Sequence, residues 1–284
     1  MQLSRFGSAN AIAKVTIAAR TFLAASLLAT AAIDVHAAGW EESVSPFTPG
    51  NFAEPRPVRV QYGFGWNGLT AATAELHFSK TADARFQLEG TGRTIGMASS
   101  LWQFEVNHVS TSDAHTLRPL HVKETEAARS KRWTTELEFT PAGVTSRREQ
   151  QKDSTVKSKT RHFEFPNVQS LNSALFFLRT QPLPEGAVHR IVVYPGTNAY
   201  LCTITAGGRD RITVPTGSYD AIKLDVQLNK IGKDRELLPH KKFKRATVWL
   251  SNDSDRLIVR IEAQIFLGTV FAELQSVQFD DGKP

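Results

Sequence analysis

The chain has 284 residues, a formal net charge of +6 and one cysteine, and 41% of its residues are hydrophobic. That length can bury a sizeable core without covalent staples. The lone Cys202 excludes an internal disulfide and any metal site built from paired cysteines.

In chain order, Arg5, Lys14 and Arg20 precede an apolar run from Phe22 to Ile33, and Val35-His36-Ala37 carries small residues where a signal peptidase reads. The run is about half of what a bilayer-spanning helix needs. Residues 1–37 are therefore predicted to be a cleaved export signal, with an amphipathic first helix as the alternative. Without the leader's three cations and one carboxylate, the mature chain from Ala38 keeps a charge of +4. No later stretch approaches the ~18 apolar residues of a membrane helix. A soluble protein is expected, with no transmembrane anchor after cleavage. The missing twin-arginine pattern and the scarcity of cysteine point to general secretion into a bacterial periplasm.

Residues 38–57 carry Pro46, Pro49, Pro55 and Pro57 without a usable period and read as an irregular strap. From Val58 a period of two dominates. Val58, Val60, Tyr62, Phe64 and Trp66 share one face, followed by Ala72, Ala74, Leu76 and Phe78, then Phe86 and Leu88. Trp102, Phe104 and Val106 continue the alternation, as do Trp133, Leu137 and Phe139. In the second half, Ile222 to Leu228, Leu257 to Ile265 and Val270 to Leu274 behave the same way. Alternation of this kind marks half-buried antiparallel strands. Asn67-Gly68, Pro141-Ala142-Gly143, Gly207-Gly208, Pro215-Thr216-Gly217 and Leu267-Gly268-Thr269 supply turn signals.

One segment departs from this pattern. Ser170 can cap a helix over 171–179 with Leu171, Leu175 and Leu178 on one stripe, stopped by Pro182 and Pro184. The predicted fold is all-β: a meander forming one curved antiparallel sheet or incomplete barrel over 58–279, with one connector helix. Residues 280–284 are expected to form a disordered tail.

Several motifs mislead. Gly63, Gly65 and Gly68 spell G-x-G-x-x-G, but two lie in a strand and the third belongs to a hairpin turn, so a nucleotide loop is not expected. Asn252-Asp253-Ser254-Asp255 lacks the glycine and glutamate of a calcium loop and reads as a hairpin turn. The eight histidines do not cluster into a zinc motif. No nucleophile elbow occurs. Glu124 with Glu126 and Glu136 with Glu138 are spaced to share a strand face, where solvated charge is the expected state. Cys202, flanked by Leu201 and Thr203, reads as a core residue. No metal or cofactor is implied.

The basic residues are a stronger candidate. Lys241, Lys242, Lys244 and Arg245 form a cationic loop around Phe243, and Arg129, Lys131 and Arg132 form another. Such patches attract polyanions. Nucleic acid is not expected outside the cytoplasm, whereas anionic lipid or envelope polymer is available there. The competing explanation is that these cations blunt exposed strand edges.

Tyr62 to Gly68, Ser173 to Arg179, Pro182 to Gly186, Val214 to Lys223 and Trp249 to Asp253 resemble a family of exported bacterial proteins, domain of unknown function 3108. The resemblance spans Val58 to Phe279. It implies export and a β-rich fold, and it supplies no catalytic residue. Trp249 to Gln275 is similar, more weakly, to the periplasmic lipoprotein carriers, whose curved sheets wrap an apolar cavity closed by helices.

These observations lead to a non-catalytic protein that binds an apolar or amphipathic envelope molecule on the concave face. Tyr62, Trp66, Trp102, Phe104 and Trp249 are the candidate lining, since apolar pockets favour large aromatics. Trp249 falls out of phase with Val248 and Leu250, which leaves its side open and makes it the weakest member of the lining. A structural or protein-docking module of the envelope is the alternative, and a hydrolase using a carboxylate pair comes third.

Overall fold

The computed structural model describes residues 39–51, 53–240, 245–265 and 268–280. The predicted export signal, Lys241, Lys242 and Lys244 of the cationic loop, and residues 281–284 of the tail lie outside them. Fifteen strands form one antiparallel sheet among the described residues. They are β1 Val58–Trp66, β2 Leu69–Lys80, β3 Arg85–Thr94, β4 Phe104–Asp113, β5 Pro119–Ala128, β6 Lys131–Thr140, β7 Gly143–Lys152 and β8 Thr155–Glu164. After the connector come β9 Val188–Val193, β10 Tyr200–Val214, β11 Gly217–Ile231, β12 Leu237–Pro239, β13 Arg245–Ser251, β14 Ile258–Ile265 and β15 Gly268–Phe279. Two helices accompany them, α1 Gly96–Leu101 and α2 Leu171–Thr180.

The meander is almost uninterrupted. β1 to β8 pair as successive hairpins, and the order then runs from β1 to β15, β14, β13, β11, β10 and β9. The β1–β15 ladder joins the two halves, pairing Val58 with Phe279 and Trp66 with Val270. The Asn67-Gly68 turn forms as expected, with both residues at positive φ (47° and 84°), the conformation a two-residue hairpin requires. Gly65 is needed for another reason: a Cβ there would lie 2.4 Å from the Phe271 ring of the paired strand.

β8 and β9 are the edges and share no ladder, so the barrel stays incomplete. The sheet is rolled until its ends meet through side chains. Val122, Leu137 and Val144 from β5–β7 cluster with Val192, Tyr194 and Leu201 from the β9–β10 end. The parallel bridge between Gln169 and Val193 ties the connector to β9. In the strap, the Trp40 ring stacks on Phe165 at 5.4 Å and its indole donates to the Arg235 carbonyl at 2.7 Å.

Helix α2 lies inside the roll. Ser170 caps it, its hydroxyl accepting from the Ser173 amide at 3.0 Å. The buried residues are Ser173, Ala174 and Phe176 to Thr180, while Leu171 is exposed and Leu175 half-buried. The expected Leu171–Leu175–Leu178 stripe is therefore not the buried face. A one-sided stripe suits a helix lying on a surface, and this helix is wrapped on most sides. Phe176 meets Phe78 at 4.9 Å and Phe86 at 5.8 Å, and Phe177 stacks on Phe47 of the strap at 4.6 Å.

Candidate functional site

Strand register determines what lies on the concave face. Tyr62 pairs with Leu274 and Ala74, Ala74 with Gly92, Gly92 with Val106, Val106 with Glu126, and Glu126 with Trp133. Paired residues share a face, so this row runs along the inside of the roll. The main core, which includes Tyr62, Phe78, Phe86, Leu224, Leu250 and Leu274, packs around α2. A smaller apolar cluster lies beyond the helix. In it Ala246, Ala263 and Val270 are buried, and half-buried Trp66, Val226, Leu228 and Ile265 pack against them.

The candidate lining residues do not converge on one place. Tyr62 is 6% exposed and donates to the Ile258 carbonyl at 2.9 Å; burial raises its phenol above the usual range. Trp66 belongs to the half-buried concave cluster, and Phe104 is buried at the start of β4. Trp102 is half-buried beneath the Arg129 guanidinium, 5.0 Å from its ring. Trp249 pairs with Lys223 and Arg260, facing away from Val248 and Leu250, and its indole donates to Asp210 at 3.0 Å. Arg245 of the cationic loop forms an ion pair with Asp225. Cys202 has its thiol pushed up to about 12 by burial, which removes it as a nucleophile at neutral pH.

Sequence reasoning missed the polar part of the concave face. Val122, Glu124, Glu126 and Ala128 share one side of β5, so both glutamates face inward. Glu126 is only 2% exposed and accepts from Arg148 at 3.2 Å. His108 Nδ1 lies 3.2 Å from Glu124, and Asn172 Nδ2 lies 2.8 Å from His108 Nε2 and 2.7 Å from the Ser110 hydroxyl. With the amide donating to both, His108 is the Nδ1–H tautomer and donates to Glu124. The dyad thereby holds the first turn of α2 against β4 and β5. A recess of about 50 Å³ beside it, lined by Thr135, Ser170 and Tyr194 among others, has room for little more than water. The missed signal was phase: Val122 and Ala128 place the glutamates between them on the apolar face.

A shallower depression of about 700 Å³ crosses β15 and β1 to β4. Gln61, Glu75, Thr91 and Asn107 are paired in one row of its lining, with Thr73, Arg93 and Glu105 in another. Both rows alternate with the concave one, but Tyr62, Ala74, Gly92 and Val106 of the concave row also line it, so the depression reaches residues of both faces of the sheet. It is polar and open, suited to solvent or a hydrophilic chain rather than an apolar molecule.

The family described as "Protein of unknown function (DUF3108)" matches residues 58–275. The chain belongs to the DUF3108 family. No curated protein matches it. Among solved structures it is similar to a β-barrel-like protein of domain of unknown function DUF1849 from Brucella abortus, at 10% identity and TM-score 0.55. That similarity covers 81% of this chain and 100% of the other, and it supports the fold. An exported protein with a YmcC-like fold from Bacteroides fragilis has 7% identity and TM-score 0.35, covering 81% of this chain and 99% of that one. A lipoprotein from Parabacteroides distasonis has 10% identity and TM-score 0.32 with the same two coverages.

Proposed function

We propose that this DUF3108 protein is an exported, non-catalytic binder of an amphipathic envelope molecule, held on the concave face beyond α2. The observation that carries this reading is the change of character along that face. Around α2 it is dry and filled; beyond the helix Trp66, Val226, Leu228 and Ile265 stay half-buried on a floor of small residues, Ala246 and Ala263. Elsewhere on the same face, Arg148 of β7 pairs with the buried carboxylate of Glu126 on β5 and adds a charged pair to it. An apolar surface with a few placed polar groups suits a molecule with a tail and a head. The apolar run and small-residue site at the N-terminus support an extracytoplasmic location.

Native mass spectrometry with organic extraction tests this, on protein purified gently from its own host. A stoichiometric lipid-like passenger is the expected result, retained less well by Trp66→Ala. Protein of a single unliganded mass, unchanged after incubation with envelope lipids, would refute the reading.

A further inference from the structure

The sheet has two rims, because antiparallel hairpins place alternate turns at opposite ends of the strands. The turns after β1, β3, β5 and β7 share one rim, and Asn67 ties it to β15 by accepting from the Thr269 amide at 3.1 Å. The most exposed large apolar side chains of the described residues sit there: Met97 at 83%, Leu69 at 70% and Val156 at 62%, joined by Leu101 at 43%. None of the four belongs to a buried cluster. They are held out by built elements. Helix α1 packs against β2 and β3, and the Arg129 guanidinium over Trp102 donates to the Leu101 carbonyl at 3.2 Å.

Charge follows the same rim. Lys131 and Arg132 open β6 with exposed side chains, Lys152 closes β7, and Asp153 is the only carboxylate within the four turns. Contiguous apolar side chains left in water mark interaction surfaces, and the packing of α1 on β2 brings Met97 and Leu101 beside Leu69. Apolar tips flanked by cations match the boundary of an anionic bilayer, with the tips entering the acyl region and the cations meeting lipid phosphates.

We infer that this rim docks the protein onto an anionic lipid surface through Leu69, Met97 and Leu101, with Arg129, Lys131 and Arg132 facing the headgroups. This does not depend on what the concave face binds.

Vesicle co-sedimentation tests it, using the protein as purified so that any contribution from residues 1–38 is common to all variants. Vesicles containing about a third phosphatidylglycerol are compared with vesicles of phosphatidylcholine alone, at low and physiological salt. Preferential, salt-sensitive binding to the anionic vesicles is expected. Leu69→Ser with Met97→Ser weakens it at least about tenfold, since two buried apolar side chains are lost. Lys131→Glu with Arg132→Glu weakens anionic binding by at least about fivefold per site and leaves the phosphatidylcholine background unchanged. Thermal melting of each variant confirms folding. No vesicle binding, equal binding to both compositions, or variants that bind as the parent does would each overturn the inference. Capture of a protein partner on this rim without vesicle binding would overturn it as well.

Discussion

The two rims are made from the same hairpin architecture and treat their side chains in opposite ways. At the rim carrying the turns after β2, β4 and β13, apolar residues point inward: Leu117 is 2% exposed and Leu257 9%. Its aspartates organise the turns. Asp113 accepts from the amides of His115 and Thr116 at 3.0 and 2.7 Å. Asp253 accepts from the amides of Asp255 and Arg256 at 3.0 Å each and from the Ser251 hydroxyl at 2.7 Å. Arg179 and Arg256 then tie that rim to the end of α2, donating to the carbonyls of Asp255 and of Arg179 and Gln181. The opposite rim also ties its turns, through Asn67 with Thr269 and Arg129 with Leu101, yet presents leucine, methionine and cations outward. One rim closes the core; the other is free to meet something else.

The largest effect expected from this contrast is at Arg256. Its side chain serves two carbonyls at the C-terminus of a buried helix, where a cation is also favoured by the helix dipole. Arg256→Ala should cost about 2–4 kcal/mol in urea unfolding, because buried carbonyls lose their donor. A loss under half a kilocalorie would mean that this rim does not hold the helix.

A smaller effect is expected at Asp113, whose carboxyl is held below its usual range chiefly by the Thr116 amide, with the Thr116 hydroxyl and His115 amide adding to it. A depressed folded-state value contributes stability that is present above the unfolded value of about 3.9 and is lost as pH falls through the lower folded value. Asp113→Asn should therefore cost about 1 kcal/mol at neutral pH and close that gap as pH falls through the lowered folded-state value of Asp113. A gap independent of pH would contradict the charged-acceptor role.

The smallest stability effect belongs to the other rim. Leu69→Ser with Met97→Ser should shift unfolding by no more than about 0.5 kcal/mol, as exposed side chains do, while its effect on vesicle binding is large. A pronounced destabilisation would show that these residues serve folding and would weaken the contrast between the rims.

Much of the fold was legible from residue type alone. Val58 to Trp66 and Ile222 to Leu228 read as half-wet strands because alternation reports that one face is buried, and Asn67-Gly68 read as a turn because few residues accept positive φ. The helix was legible as a helix, from Ser170 and the prolines after it. Its surroundings were not, since a stripe of leucines cannot report that sheet encloses the helix. Glu124 and Glu126 were misread because carboxylates are normally solvated; their phase with Val122 and Ala128 already contradicted that reading. Among the five aromatics, alternation placed Tyr62 and Trp66 on the Val58 face and Trp102 and Phe104 together, while Trp249 fell out of phase with Val248 and Leu250.

The sequence by itself determined the strands, their local hairpins and the helix ends, all of which depend on neighbours a few residues away. Only the tertiary structure decided that β1 pairs with β15 across about two hundred residues, that the sheet ends meet through Val122, Leu137 and Tyr194, and that α2 fills the roll. It also decided that Leu69, Met97, Leu101 and Lys131 share a rim. The reason is physical: alternation specifies which face of a strand must be dry, but not which distant strand completes that face or which turns the curvature gathers together.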